Sequence, residues 1–380
     1  MRMTKKLVGL GVLALLAGCS SLNPFGSKSK GGDPAPLTDI KGTMAVRTAW
    51  TASVGKGAGA FAPVQDGGSI YAAGADGAIV ALDAASGRQL WRVAAGTSLS
   101  AGVSVADGVL VVGAVKGGLL AFDTSGKALW KAQASSEILS APVVGQGMVV
   151  VLSLDSRVVG YDAKTGDKKW TVQRIAPALT MRNSPGMVIN GKEVIVAQPG
   201  GKLLALALAT GATRWEAALA EGRGATELER VTDVGGVPFI FERDVCAASY
   251  QGRIGCFDVA TGAPRWNKEF SSHVGVGADQ RFVFGADDKG NLAAFNRDGG
   301  ASAWRNDKLA LRRLSTPVSV GRAVAVGDLE GVVHFLSRED GAFLARVKTD
   351  GSAIHSAGLI AGSNLIFQTQ SGTVTAIAVE

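Results

Sequence analysis

Short apolar runs separated by tight turns make up most of the chain, and one stretch shows their arrangement clearly. Between Leu99 and Lys131 the segments SAGVSV, GVLVVGA, GLLAFD and ALWKAQ follow one another, separated by Asp107-Gly108, Lys116-Gly117 and Ser125-Gly126. Runs of this length, bounded by turn residues that include glycine, are typical of antiparallel strands joined by hairpins. The pattern predicts a four-stranded antiparallel unit.

A glycine followed four residues later by a tryptophan recurs along the chain. The six pairs are Gly87 and Trp91, Gly126 and Trp130, Gly166 and Trp170, Gly211 and Trp215, Gly262 and Trp266, and Gly300 and Trp304. From Trp50 onward the tryptophans lie 38 to 51 residues apart, and a period of about 40 with strand-like content indicates a β-propeller. We expect each indole to pack over the glycine turn of a neighbouring blade. The alternative, an aromatic ladder that binds sugars, is disfavoured. One tryptophan at the same position of each unit is the arrangement that blade packing requires. In the seventh unit Ala345 takes the tryptophan position, which predicts weaker docking there.

The number of units can be read from the predicted inner strands. Eight sets of strands begin near Phe61, Ser100, Ala141, Pro185, Pro238, Gly275, Pro317 and Ala357. The eighth set ends with GTVTAIAVE and lacks a fourth strand, whereas MAVRTAWTA around Trp50 is a fourth strand with no blade before it. An incomplete blade would leave a strand edge unpaired. We therefore predict an all-β fold over residues 43–380: an eight-bladed β-propeller of four-stranded antiparallel blades, whose last blade is closed by the N-terminal strand.

The first residues have the composition of an export signal. Arg2, Lys5 and Lys6 precede an apolar run that is too short to span a bilayer, and Leu-Ala-Gly-Cys ends that run at Cys19. Residues 1–18 resemble the signal peptide of bacterial lipoproteins. The resemblance implies cleavage before Cys19, acylation of this residue and export to the periplasmic side. An ordinary signal peptide with an incidental cysteine is the alternative.

The residues after the cysteine point to an anchored protein. Ser20, in place of an aspartate, favours the outer membrane by the sorting pattern of such lipoproteins. Residues 19–42 are rich in glycine, serine, proline and lysine and are predicted to form an acylated, flexible tether. The expected location is thus the outer membrane, with a lipid anchor and the propeller facing the periplasm.

Charge and composition exclude some classes of protein. The chain has 47% hydrophobic and 19% charged residues, which is too apolar for disorder. Its formal net charge is +7, but three positive charges belong to the predicted signal peptide and no block of Lys and Arg follows. We expect no nucleic-acid partner and a weakly cationic surface near anionic lipid headgroups.

The sequence offers little for catalysis. The repeats resemble those of pyrroloquinoline quinone enzymes, which makes a periplasmic quinone-dependent dehydrogenase the alternative function. That family uses a calcium site, a catalytic carboxylate and an adjacent cysteine pair, and this chain has no Cys-Cys. His273, His334 and His355 are scattered without metal-ligand spacing. We predict no catalytic residue, no metal and no cofactor.

Two cysteines of the predicted mature chain remain open in their role. Cys246 and Cys256 flank the predicted hairpin ASYQGRIG, and an oxidising compartment permits a cross-strand disulfide. Whether the two face one another depends on a register that the sequence does not determine.

The repeat is extended at two consecutive places. The long spacings lie in the segments TVQRIAPALTMRNS and EAALAEGRGATELERVTDVGG, each connecting the outer strand of one blade to the inner strand of the next. Such connectors emerge on one face of a propeller, so adjacent long ones predict a raised patch for a partner protein. Two neutral loop extensions are the alternative. The patch would carry Leu179, Met181, Arg182, Glu227, Glu229, Arg230 and Asp233.

Signal, tether, eight repeats and the loops PALTMRNSP and TELERVTDV together resemble the BamB family of outer-membrane protein assembly factors. The resemblance covers essentially the whole mature chain. It implies that Leu179, Met181 and Arg182 bind a periplasmic POTRA domain of the β-barrel insertase BamA, with Asp233 as an acidic contact. A second acidic position of the family falls on Gly235, so the acidic pair is incomplete here. The implied function is a non-enzymatic scaffold lipoprotein of the Bam complex that helps to deliver unfolded barrel precursors.

Overall fold

The structure of the chain is a computed structural model that describes residues 32–56, 61–175, 177–182 and 185–380. Pro34–Glu380 forms one compact unit. The predicted signal peptide, Cys19 and most of the predicted tether lie outside the described residues. Within the described ranges, no helix is long and apolar enough to cross a membrane.

The described residues form eight four-stranded antiparallel sheets, which confirms the predicted eight-bladed propeller. The strands of blades 1 to 4, each from first to fourth, are β2 (Val64–Asp66), β3 (Ser69–Ala73), β4 (Ala78–Asp83) and β5 (Gln89–Ala94); β6 (Leu99–Ala106), β7 (Val109–Ala114), β8 (Gly118–Asp123) and β9 (Ala128–Gln133); β10 (Val143–Gly145), β11 (Met148–Leu152), β12 (Arg157–Asp162) and β13 (Lys168–Gln173); β14 (Met187–Asn190), β15 (Glu193–Gln198), β16 (Lys202–Ala207) and β17 (Thr213–Ala218). One 3-10 turn, Val115–Gly117, joins β7 to β8.

Blades 5 to 8 repeat the same order. Their strands are β18 (Val234–Phe241), β19 (Asp244–Ser249), β20 (Arg253–Asp258) and β21 (Pro264–Glu269); β22 (Gly277–Ala278), β23 (Phe282–Ala286), β24 (Leu292–Asn296) and β25 (Ser302–Asn306); β26 (Val318–Val320), β27 (Ala323–Gly327), β28 (Val332–Ser337) and β29 (Phe343–Lys348); β30 (Leu359–Ala361), β31 (Asn364–Gln368), β32 (Thr373–Val379) and β1 (Val46–Ser53).

Burial along the strands follows from the stacking of blades. A blade is covered on both sides by its neighbours, so its central strands are apolar at successive positions and every residue of β7 is buried. The outermost strand borders solvent, and β9 accordingly alternates exposed with partly buried residues. Eight apolar clusters fill the eight interfaces between neighbouring blades.

Each tryptophan docks its blade onto the next, as the repeat predicts. The indole covers a glycine of the following blade so closely that a Cβ there would lie 2.4 to 3.1 Å from the ring. The indole N–H also donates to a backbone carbonyl of that turn, at 2.5 to 3.2 Å. The pairs are Trp50 on Gly87, Trp91 on Gly126, Trp130 on Gly166, Trp170 on Gly211, Trp215 on Gly262, Trp266 on Gly300 and Trp304 on Gly341.

The ring is closed by the N-terminal strand, which confirms the predicted closure. β1 pairs with β32 from Val46 opposite Val379 to Ser53 opposite Thr373. Seven of the eight blade interfaces contain a docking tryptophan. The eighth lies between blades 7 and 8, where Ala345 of blade 7 takes the tryptophan position. Blade 8 has no turn between its third and fourth strands, because these are the two ends of the propeller's chain. Met44 packs in the cluster that contains Ala345.

The segment before β1, residues 34–42, has no strand but is bound to blades 6 and 7. The Ala35 N–H donates to the Ala310 carbonyl at 2.9 Å, and Leu37 packs against the apolar cluster between these blades. Arg312 and Arg346 donate to the carbonyls of Ala35 and Thr38, at 2.9 and 2.5 Å. The part of the predicted tether from Ala35 onward is therefore attached to the propeller. We call residues 34–42 the strap.

Candidate partner-binding surface

The two long connectors lie next to each other on one face of the propeller. The first, residues 174–186, joins blade 3 to blade 4, and the second, residues 219–233, joins blade 4 to blade 5. Links from a fourth strand to the next first strand, and the turns between second and third strands, all emerge on this face, which we call the connector face. The Met181 N–H donates to the Asp233 carboxylate at 2.5 Å, and Gly186 N–H donates to the Gly236 carbonyl at 2.7 Å. The connectors thus form one continuous surface.

Asp233 is buried, which corrects its predicted place on the exposed patch. Its side chain is 2% exposed and its carboxylate accepts N–H bonds from Met181 and from Gly200, the latter at 3.0 Å. Burial raises the pKa of Asp233, and the two N–H bonds only partly oppose this. The buried backbone donors of two loops need an acceptor, and Asp233 supplies it. Its position suits holding the first connector in place.

The other three predicted contact residues face outward to different degrees. Leu179 is 47% exposed, while Met181 is half-buried above Asp233. The Arg182 side chain is 64% exposed and forms an ion pair of 2.7 Å with Glu137, which lies on the connector between blades 2 and 3. The predicted patch therefore extends over a third connector. Because the guanidinium is solvent-exposed, the pair adds little stability, which leaves Arg182 free to change partner.

A turn at Thr226–Arg230 shapes the second connector. The Glu229 carboxylate accepts the N–H groups of Ala225 and Thr226, and Thr226 Oγ1 accepts the N–H of Glu229. This reciprocal arrangement is that of a capping box. Arg230 pairs with Glu227. All these residues are exposed, as the sequence predicts, but Glu229 is used to hold the turn.

Two apolar residues that the sequence pattern did not single out contribute to the surface. Ile175 in the first connector is 99% exposed, and Leu228 at the tip of the turn in the second is 69% exposed. Leu228 is flanked by glutamates on both sides, and that contrast was an available signal, whereas Ile175 stands in a largely apolar stretch and carries no such signal. Exposed apolar side chains beside charges of both signs are typical of a partner surface.

A small cavity of about 30 Å³ lies beneath the first connector. It has room for about one water molecule. Its walls come from blades 3 and 4 and from the three connectors around them, and they are mainly apolar, with Asp233 among the lining residues. The apolar lining residues include Leu139, Leu152, Leu154, Met181, Pro185 and Pro199. Met181 is thus packed over a space that the surrounding loops do not fill.

Gly235 leaves no room for the second acidic residue of the family. A Cβ at this position would lie 2.4 Å from the backbone carbon of His273 in the neighbouring blade. The backbones of blades 5 and 6 approach too closely here for any side chain to fit without a shift. The acidic pair implied by the resemblance is incomplete in this chain for a steric reason.

His273 and Ser271 contact the same carboxylate rather than each other. His273 Nδ1 lies 2.5 Å from the Asp288 carboxylate, and the Ser271 hydroxyl donates to the same carboxylate. Nucleophile activation requires the imidazole to contact the serine, whereas here both contact Asp288. His334 is buried in β28. No group of three His, Cys, Asp or Glu side chains within the described ranges could hold a metal ion.

Cys246 and Cys256 form a disulfide, which answers the question that the sequence leaves open. The two residues are directly opposite on β19 and β20, with their Cα atoms 4.1 Å apart. Both are buried in the cluster between blades 5 and 6. The bond therefore links the central strands of the blade that follows the second connector.

Comparison with known proteins identifies relatives along nearly the whole chain. A family profile described as outer membrane protein assembly factor BamB matches residues 46–97, 75–306 and 289–380. Outer membrane protein assembly factor BamB of Burkholderia pseudomallei (strain K96243) is 44% identical over 362 residues, which are 95% of this chain and 94% of that protein.

Solved structures agree with this result. The crystal structure of BamB from Moraxella catarrhalis superposes with a TM-score of 0.82 at 26% identity, covering 88% of this chain and 100% of that one. Quinohemoprotein alcohol dehydrogenase ADHIIG from Pseudomonas putida HK5 gives a TM-score of 0.68 at 15% identity, covering 90% of this chain and 78% of that one. The likeness to the dehydrogenase is one of fold alone.

Proposed function

The chain belongs to the BamB family of outer membrane protein assembly factors, and from this premise we propose how it performs that role. Its work is the assembly of outer-membrane proteins. We infer that it acts as a non-enzymatic scaffold that binds a periplasmic POTRA domain of the insertase BamA through the connector face of blades 3 to 5. Unfolded barrel precursors are the further partners. The names of the relatives support an assembly role over that of a quinone-dependent dehydrogenase.

Attachment to the outer membrane is part of the proposal. Cys19 is the residue that would be acylated after removal of residues 1–18, with the propeller facing the periplasm. The lipoprotein-like signal in the sequence supports this, and the strap then joins the anchored residues to blades 6 and 7.

The observation that carries the partner assignment is the hydrogen bond between the two long connectors, from the Met181 N–H to the Asp233 carboxylate. Asp233 fixes the Met181 backbone from below, which presents Leu179 and Arg182 on a defined loop. A preorganised loop loses less conformational entropy on binding. Leu179 and Ile175 offer apolar area. Arg182 offers a 64% exposed charge, and a partner's carboxylate can replace its present partner, the half-buried Glu137.

A pull-down from detergent-solubilised envelope tests the assignment. Arg182→Glu reverses a charge in the proposed interface and places it beside Glu137, so insertase binding should weaken by about 2 to 5 kcal/mol. Leu179→Ala should weaken it by about 1 kcal/mol or more. Both sites are exposed, so thermal stability should remain within about 0.5 kcal/mol of wild type.

Lys127→Glu is the matched control, because Lys127 is an exposed cation on a turn of the opposite face. It should retain full binding. Undiminished recovery of the insertase with Arg182→Glu would show that the contact surface lies elsewhere on the propeller.

A further inference from the structure

The strap is held in part by Arg312, a buried arginine in the connector between blades 6 and 7. Arg312 is 2% exposed, and Asp328, its partner at 2.6 Å, is fully buried. The same guanidinium also pairs with Glu330 and donates to the Ala35 carbonyl. Removing charges from water is costly, and here one donor of a buried arginine is used to fix the backbone of the strap.

This attachment determines where the chain leaves the propeller. Ala35 bonds to Ala310 in the connector between blades 6 and 7, whereas Thr43 bonds to Leu344 in the outer strand of blade 7. Ala35, at the start of the strap, therefore lies at the connector face, beside residues 307–317. Only fifteen positions separate Cys19 from Pro34, which limits their separation to about 50 Å even at full extension.

The connector at this exit point presents an apolar residue among cations. Leu309 and Leu314 are buried, while Leu311 between them is 40% exposed and has a φ of +61°. A left-handed leucine is uncommon, and here a hydrogen bond from its N–H to the Lys289 carbonyl, at 2.8 Å, stabilises it. Arg313, two positions after Leu311 and at φ +49°, is exposed.

The acids Asp287, Asp288 and Glu330 near this corner are paired with Arg305, His273 and Arg312, respectively. The exposed charges that remain without an ion pair are mainly positive. Lys289, Lys308 and Arg313 are exposed, and none of them forms an ion pair with any residue that the structure describes. Asp307 is the exposed acid of the same connector. We call Lys289, Lys308, Leu311 and Arg313 the basic corner.

We propose that the basic corner rests on the anionic lipid surface to which the protein is anchored, so that the strap and the corner together set the orientation of the propeller at the membrane. The proposal rests on the proposed acylation of Cys19. Each basic residue near an anionic leaflet contributes about fivefold in partitioning, and an apolar residue among cations suits the headgroup region. A contact this small is populated because the tether keeps the corner at a high effective concentration near the bilayer.

The test places an environment-sensitive fluorophore on Leu311→Cys in the acylated full-length mature protein. Vesicles are of phosphatidylethanolamine and phosphatidylglycerol in a 3:1 ratio, with phosphatidylcholine vesicles for comparison. The native Cys246–Cys256 pair is bonded and buried, so the introduced thiol is the one labelled. On anionic vesicles the probe should shift its emission to the blue and be quenched by iodide several-fold less than the same probe on Lys127→Cys at the opposite face.

A charge-reversal variant, Lys289→Glu with Lys308→Glu and Arg313→Glu, should return the Leu311 probe to solvent-like quenching while the protein still floats with the vesicles. The matched control reverses Arg88, Lys127 and Lys164, three exposed cations on turns of the opposite face, and should leave the probe protected.

Equal quenching of the two probes on anionic vesicles would overturn the proposal, and so would protection that persists in the charge-reversal variant. A protein that does not float lacks the anchor on which the proposal rests, and this outcome overturns it as well. Insertase binding is measured separately by pull-down. Failure of the membrane-contact proposal therefore appears in the quenching data, whereas failure of the proposed BamA contact appears in the pull-down.

Discussion

The indole of Trp50 lies directly on Gly87, and this contact joins the last blade of the propeller to the first. Trp50 Nε1 donates to the Ala84 carbonyl at 3.2 Å, and a Cβ on Gly87 would be 2.5 Å from the ring. Since Trp50 stands on the N-terminal strand, the same docking contact that joins consecutive blades also closes the ring.

Gly87→Ala should destabilise the propeller more than the same change at a glycine without a neighbour. Gly67 is the matched control, with φ +56° against +71° for Gly87 and no atom within 4 Å of the position that a Cβ would occupy. Both substitutions carry a left-handed cost of about 1 to 2 kcal/mol. Displacing the indole should add about 1 to 3 kcal/mol at Gly87. Urea denaturation measures the difference, and equal losses would remove the docking role of the indole.

Deleting residues 43–53 should destabilise the whole molecule. It removes the strand paired with β32, together with the buried side chains of Met44 and Trp50, which together are worth about 5 kcal/mol or more. Deleting residues 20–33 leaves every described contact of Pro34–Glu380 in place and should not change the melting temperature. Deleting the strap should have an intermediate effect. Identical melting curves for the first two deletions would contradict closure by the N-terminal strand.

The sequence predicts the blades well because blade packing is periodic. Each interface repeats the same glycine and tryptophan at the same spacing, so the count and the closure follow from local patterns. The irregular interface between blades 7 and 8 also follows from the sequence. Ala345 replaces the tryptophan there, and blade 8 has no turn between its third and fourth strands that could receive an indole.

The site is less predictable, because its contacts join residues far apart in the chain. Asp233 looks like an exposed acid in a polar loop, and its burial depends on the Met181 N–H, 52 positions earlier. The strap has the composition of a free tether, and its attachment depends on Arg312 and Arg346, roughly three hundred positions later. Steric exclusion at Gly235 likewise arises from the backbone of the next blade.

Asp233→Asn should loosen the first connector without touching a partner. The amide oxygen can accept one of the two N–H bonds, but the amide nitrogen then faces the other donor, and an unsatisfied buried group costs about 1 to 3 kcal/mol. Amide hydrogen exchange should speed up at Met181 and Gly200, and insertase binding should weaken through the displaced loop. Glu221→Gln removes an exposed charge from the second connector and should change neither quantity. If hydrogen exchange speeds up but insertase binding is unchanged, the role of Asp233 in presenting the partner surface is contradicted.

Acid should destabilise the propeller partly through His334. This side chain is fully buried; its Nδ1 accepts from Arg346 Nε at 3.1 Å, so Nε2 carries the proton that it donates to Asp328 at 2.9 Å. Burial lowers the pKa of His334 below its usual 6.5, and the charges of Arg346 and Arg312 lower it further, against the opposing effect of Asp328. The folded state therefore binds this proton less readily than the unfolded state does.

The sign of the pH dependence follows from that difference. Below about pH 6.5 the unfolded chain takes up a proton that the folded chain excludes, so stability should fall by up to about 1.4 kcal/mol per pH unit until the lowered folded pKa is reached. His334→Gln offers an amide donor for Asp328 and an acceptor for Arg346 but does not titrate. Its melting temperature should fall less steeply than that of wild type between about pH 6.5 and 5. His355, whose pKa burial also lowers, accounts for part of the slope that remains, and His355→Gln is the comparison variant. Parallel slopes for wild type and His334→Gln would mean that the buried imidazole does not govern the loss of stability in acid.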